Sequence, residues 1–169
     1  MERLQQYDVV VVGGGTAGVS AAVGAAKTGA KTLLIERNAY LGGEATNSGV
    51  SAFCGFYTCG ENPVRVVEGV GRLVLNEMEA LGPTVDYVIS ATGNRNINFQ
   101  PEYLKCAMDN LLEKERVDYL LHTSVIGADT ENGTITAIHC VDDEGTFTVA
   151  AKAFVDASGD ANLARLAGA

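Results

Sequence analysis

The sequence predicts an α/β domain: a parallel β-sheet with flanking helices, joined to a three-stranded antiparallel β-meander. Three observations carry that expectation. Four valines at residues 9–12 run straight into the glycine-rich stretch "GGGTAG". An alanine-rich helical stretch and a second apolar run, "KTLLIE", follow. Further on, Asn132-Gly133 and Asp142 to Gly145 punctuate short alternating runs, and Asn-Gly in that setting is a strong hairpin signal.

Bulk composition narrows the function classes. At 169 residues the chain suffices for one domain with a real core. Hydrophobic residues make up 47% and charged residues 20%, which reads as soluble and globular. The formal net charge of -9 argues against nucleic acid as a partner. No stretch approaches the roughly 18 apolar residues of a membrane span. The N-terminus "MERLQQYDVV" lacks a signal peptide's basic and apolar regions, so a cytoplasmic location is expected. Four scattered cysteines, Cys54, Cys59, Cys106 and Cys140, fit a reducing compartment.

The first unit is strand, turn, helix, strand. "YDVVVVG" is the continuous apolar run of a parallel strand buried on both faces. A helix is expected from Thr16 to about Thr28, with Ala17, Ala21 and Ala25 as its small, sheet-facing side. Gly29 ends it. "KTLLIE" gives the next strand, ending at Glu36, and so short a crossover implies parallel strands. Residues 38–62 lack a period and read as a long loop, which their aromatics Tyr40, Phe53, Phe56 and Tyr57 mark as ordered and functional.

Asn62-Pro63 reads as a helix start. Val67, Val70, Val74, Met78 and Leu81 follow at helical spacing, and Gly82-Pro83 stops the run. After Pro101, Leu104, Ala107, Met108, Leu111 and Leu112 form the apolar stripe of a second helix. Glu102, Lys105, Asp109 and Glu113 form its solvated face. "VDYLLHT" reads as a strand, the meander follows, and "AFVDASGD" closes the series as one more strand running into a turn.

The glycines have the register Gly13-x-Gly15-x-x-Gly18 between a strand and a helix. That pattern serves a tight turn, close approach of backbone to a pyrophosphate, and helix-to-strand packing. The helix start offers free N–H groups and partial positive charge to phosphates. Glu36, at the end of the next strand, can accept hydrogen bonds from a ribose diol and would repel the extra phosphate of NADP. Together these features point to a Rossmann-like FAD/NAD(P)-binding fold.

The stretch "IERNAYLGGEAT" resembles the segment after the second strand in FAD enzymes of the glutathione-reductase-like fold, and "AFVDASGDANLARLAGA" is similar to their second FAD-contacting strand and turn. The overall pattern most resembles the FAD-dependent oxidoreductases related to fumarate reductase flavoproteins. That resemblance implies FAD as cofactor. It places Gly13, Gly15, Thr16, Ala17 and Gly18 at the pyrophosphate, and Glu36 with Arg37 at the adenosine ribose. It runs Gly42, Gly43, Glu44, Ala45 and Thr46 along the ribityl chain, sets the backbone of Val125 at the adenine, and brings Ser158 and Gly159 to the phosphate side. The implied function is a flavin-dependent oxidoreductase, or the FAD-binding part of one, acting on a small-molecule substrate. An NAD-dependent dehydrogenase and a non-catalytic nucleotide-binding subunit are the alternatives.

No catalytic acid or base emerges. Cys54 and Cys59 have the spacing of a disulfide-reductase redox pair, but the position two residues after Gly43 is Ala45, so two partly buried thiols are expected. The cysteines lack zinc-site spacing, and no metal is expected. His122 and His139 read as structural residues on strands. "ARLAGA" ends the chain inside what reads as another helix. In the family it resembles a substrate domain follows there. The 169 residues are therefore expected to be one FAD-binding domain, incomplete at its C-terminal side. A complementing chain, further sequence or a second copy would complete it.

Overall fold

The structure is a computed structural model and describes residues 5–82 and 86–169. Strand β1 (Gln5–Val12) leads through the glycine turn into helix α1 (Thr16–Lys27), and β2 (Thr32–Ile35) follows. These form the expected strand–helix–strand unit, with β1 and β2 paired in parallel from Val9 opposite Thr32 to Val12 opposite Ile35. The rest of the order is α2 (Glu44–Asn47), β3 (Ala52–Cys54), α3 (Val70–Ala80), β4 (Val88–Ile89), β5 (Arg95–Asn98), α4 (Pro101–Lys114) and β6 (Asp118–Leu120). The chain continues with β7 (Ser124–Glu131), β8 (Thr134–Asp142), β9 (Gly145–Asp156) and α5 (Asn162–Leu166).

The main sheet has six strands in the order β6-β2-β1-β9-β8-β7. Its first four are parallel and its last three form the antiparallel meander. The third meander strand and the "AFVD" strand, expected as two, are a single strand. Residues 145–150 of β9 pair with β8, and residues 149–156 pair with β1. Nothing in the alanines and lysine at 150–153 breaks an extended chain.

Side chains alternate across this sheet as the two-residue strand period requires. Val11 and Leu34 join Val19 and Val23 of α1, Leu75 and Met78 of α3, and Leu104, Met108, Leu111 and Leu112 of α4 in one core. Val10, Val12, Leu33 and Ile35 face the other way, against Ile138, Cys140, Phe147, Val149 and Leu163. The valine run is apolar on both faces because both faces are covered.

Several expectations need correcting. The face of α1 against the sheet is Gly18, Val19, Ala22 and Val23, while Ala17 is exposed. Helix α3 starts at Val70 behind Gly69, not at Asn62-Pro63. Residues 63–67 instead run alongside Phe56 and Thr58, which they meet through backbone hydrogen bonds. The stop at Gly82 is present, with φ 120°; Pro83 lies outside the described residues. The long loop contains α2 and donates β3 to a second, antiparallel sheet in the order β3-β5-β4. Phe53 packs there against Phe56 and Phe99, with ring centroids 5.7 Å and 4.5 Å away. On α4 the apolar stripe is buried, but Asp109 is half-buried and its Oδ1 has no partner among the described residues. His122 follows β6 rather than lying in it, with φ 52°. Among the described residues no helix is long and apolar enough to cross a membrane.

Candidate cofactor-binding site

The site lies at the carboxyl ends of β1, β2 and β9, where a parallel sheet leaves a crevice. Gly13 turns the chain out of β1 with φ 106°, and its N–H donates to the Ile35 carbonyl at 2.8 Å. A Cβ on Gly13 would overlap the Ala157 carbonyl. A Cβ on Gly18 would overlap the Gly13 carbonyl oxygen, so only glycine lets α1 sit directly on the turn. The second glycine pair is fastened to the first: the Gly42 N–H donates to the Gly14 carbonyl at 2.8 Å, and a Cβ on Gly43 would stand 2.9 Å from the Gly15 Cα. Thr46 is buried, and its hydroxyl donates to the Leu41 carbonyl at 2.7 Å. It shapes the Gly42-Gly43 turn from behind.

Glu36 is 6% exposed and is the organising anion of the site. Its Oε2 accepts from the Gly14 N–H at 2.6 Å. Its Oε1 accepts from the Asn38 N–H at 2.8 Å and the Asn38 Nδ2 at 2.7 Å. Three donors satisfy a buried carboxylate that would otherwise be costly. The carboxylate thereby fixes the glycine turn.

A groove of about 600 Å³ runs over these backbones. Gly13, Gly15, Thr16 and Ala17 line it where α1 begins, and Glu36 and Arg37 where β2 ends. Gly43, Glu44 and Ala45 line it along α2, and Ser158 and Gly159 along the turn after β9. The first N–H groups of α1 have no intrahelical acceptors and present positive partial charge. Gly18, Gly42 and Thr46 stand behind the lining. The turn after β9 is built by Asp156: its Oδ1 accepts from the Ser158 N–H at 3.0 Å and hydroxyl at 2.6 Å, and its Oδ2 from the Ala164 N–H at 2.9 Å. Partial burial alone would raise the Asp156 pKa, but these hydrogen bonds outweigh it and hold the carboxyl below its ordinary value.

A smaller cavity of about 190 Å³ continues from Glu36 and Arg37. Thr123, Ser124 and Val125 line one side, and Asn162, Arg165 and Leu166 of α5 another. Val125 and Glu36 thus line the same cavity. Asn162 and Arg165 went unread, because they follow the Gly159 turn in a short helix with no motif of its own.

A family model described as FAD dependent oxidoreductase matches residues 8–169. The chain belongs to the FAD-dependent oxidoreductase family. The digeranylgeranylglycerophospholipid reductase of Methanospirillum hungatei JF-1 is 30% identical over 125 residues, 74% of this chain and 26% of that relative. The glutathione reductase of Yarrowia lipolytica is 53% identical over 49 residues, 29% of this chain and 10% of that relative. Among solved structures, a geranylgeranyl bacteriochlorophyll reductase-like protein from Thermoplasma acidophilum superposes with a TM-score of 0.65 at 23% identity, covering 98% of this chain and 43% of the other. A flavocytochrome c3 fumarate reductase gives 0.62 at 18%, covering 90% and 33%. At these identities the structures show the fold. The chain spans under half the length of each of these proteins.

The residues present fit FAD. The cradle excludes a Cβ at Gly13, Gly18, Gly42 and Gly43, which keeps the turns as bare backbone, and the large groove and the small cavity meet at Glu36, Arg37, Gly13 and Ser158. An extended dinucleotide needs such a continuous path. The family's cofactor also separates the flavin reading from the NAD alternative.

The remaining candidates lie elsewhere. Cys54, Cys59 and Cys106 are exposed free thiols, which corrects the expectation of partial burial for the first two: β3 is an edge strand and turns Cys54 outward. Cys140 is buried, and burial with nearby Asp142 pushes its thiol up to about 12. His139 sits on the meander surface, its Nε2 2.9 Å from Asp129 Oδ1 and its Nδ1 3.3 Å from Thr148 Oγ1. Gly127 opposite leaves room for that ring.

Proposed function

We propose that this chain is the FAD-binding portion of a flavin-dependent oxidoreductase acting on a small molecule. The observation that carries the reading is the double glycine cradle, closed to a side chain at Gly13, Gly18, Gly42 and Gly43 and fastened to a buried Glu36. When bound, FAD supplies the hydride or electron transfer. The chain binds and orients. The N–H groups at Thr16 and Ala17 face the pyrophosphate, Glu36 faces the ribose, and α2 runs beside the ribityl chain. Ser158 and Gly159 close the phosphate side.

The flavin ring needs a cover to form a dry, shaped substrate pocket. Further polypeptide, a partner chain or a second copy supplies it. The short share of each relative matched here supports that reading, as do the exposed apolar side chains Val64, Val66, Val88 and Ile89. The location proposed is the cytoplasm.

An absorption spectrum of the purified protein, with the released cofactor identified by mass, tests the core of this. A flavin spectrum bleached by a reductant and restored by an acceptor is expected. Failure to retain flavin after incubation with excess FAD, together with a rise in melting temperature on adding NAD, would overturn it.

A further inference from the structure

Beside the cofactor groove lies a separate cleft of about 380 Å³. Phe53, Phe56, Val67, Val74 and Met108 make one wall. The other wall is the outer side of α1, with Thr16, Ala17 and Ser20. Thr16 and Ala17 line the cofactor groove as well, so the cleft opens directly from it. Neither of them lines the small cavity, which joins the same groove at Glu36 and Arg37. With the adenosine ribose at Glu36, the cleft lies on the flavin side of the pyrophosphate.

Its lining says what it would accept. Among the described residues no ionisable side chain lines it, and the net charge of -9 disfavours an anion further. The polar side chains on its wall are Thr16 and Ser20. They stand about one helical turn apart on the same side of α1, and among the described residues neither hydroxyl makes a hydrogen bond. Apolar and aromatic walls with a few unspent polar groups are the usual composition of a small-molecule site. The flavin ring itself is a poor match. Its pyrimidine edge carries carbonyls and an N–H that would be left unpaired against phenyl and alkyl groups.

We propose that this cleft is the substrate site, and that it takes an uncharged molecule with an apolar ring or chain and a hydroxyl or ketone oxygen. The oxygen meets the hydroxyls of Thr16 and Ser20, and the apolar part packs against Phe53, Phe56 and Met108. The proposal rests on the FAD reading and deepens it by naming the substrate class. Further polypeptide over the flavin roofs this cleft rather than filling it.

The test is equilibrium dialysis of 2-naphthol and 2-naphthoate against FAD-loaded protein, for the parent and for Ser20→Ala and Ser20→Phe. The two probes share a ring system and differ in charge at neutral pH. 2-Naphthol should bind the parent about 10-fold or more tighter than 2-naphthoate, because an unpaired carboxylate is costly against apolar walls. Its affinity should fall about 2- to 12-fold in Ser20→Ala, the range of one neutral hydrogen bond, and be lost in Ser20→Phe, whose ring fills the cleft. FAD retention should match the parent in Ser20→Ala, which keeps the result readable should Ser20→Phe be less stable. Equal or tighter binding of 2-naphthoate would overturn the substrate class. 2-Naphthol that binds stripped protein but not FAD-loaded protein would put the flavin in the cleft and overturn the proposal. Equal binding by all three FAD-loaded proteins, or binding by none, overturns this proposal alone. Parent protein that retains no FAD overturns the FAD reading and this proposal with it.

Discussion

Replacing Glu36 by alanine should destabilise the protein even without cofactor, and the size follows from the three hydrogen bonds to its carboxylate. The Gly14 N–H, at 2.6 Å from Oε2, is buried, and no water reaches it in the native packing. Orphaning a buried donor costs about 1–3 kcal/mol. The two Asn38 donors are half-exposed and recover water, so their loss adds about 0.5–1 kcal/mol together. The sum is about 1.5–4 kcal/mol for stripped Glu36→Ala. Glu36→Gln should lose less, about 1–2 kcal/mol, because an amide keeps one acceptor but turns its NH₂ toward one of the donors. Urea unfolding of stripped parent and variants, with equal slopes, measures this. FAD affinity should fall as well, since the turn that cradles the pyrophosphate is no longer fixed. If stripped Glu36→Ala unfolds within about 0.5 kcal/mol of the parent, Glu36 does not organise the turn and acts only on ligand.

Gly18→Ala should abolish flavin retention, because its Cβ overlaps the Gly13 carbonyl oxygen and forces α1 off the turn; a flavin-to-protein absorbance ratio reads this directly. Asp109 has its pKa raised above 3.8 by burial and by Glu113, so its charge opposes folding. Asp109→Asn should therefore raise stability at neutral pH, and the gain should vanish as pH falls from the raised native value through 3.8, where the parent is protonated folded and unfolded. A gain that persists at pH 3 would be at odds with that cause. The double variant Cys54→Ser, Cys59→Ser should keep flavin and its reduction behaviour. A long-wavelength charge-transfer band in the reduced parent, lost in the variant, would show a redox pair instead.

What the sequence conveyed was local and periodic. The unit from Val9 to Glu36 could be read because strand, turn, helix and strand follow one another, with the glycines at fixed spacing between the first strand and the helix. The α4 stripe was equally plain. Pairings between distant short segments were not legible. Ala52–Cys54 and Arg95–Asn98 have no alternation that would mark them as partners, and Pro63 is as suited to an extended segment as to a helix start. The site residues divide the same way. Those on the glycine turns carry a motif, whereas Arg165 and Asn162 gain their place only because Asp156 folds α5 back over the crevice. The link from Glu36 to the Gly14 amide was also hidden, since backbone donors have no letter in a sequence.

The undivided course of β9 has a kinetic consequence. The first strand finds its second neighbour only in β9, long after β2 has paired with it, so the floor of the crevice is laid down late among the described elements. Until then β1 offers a bare edge that is apolar from Val9 to Val12, of the kind that invites wrong pairing. Pairings so far apart along the chain close slowly. During synthesis on the ribosome, residues before β9 should therefore engage neither dinucleotide nor a stable sheet. Acquisition of ligand then coincides with closure of the whole domain, and the dinucleotide acts as a late clasp on the folding reaction.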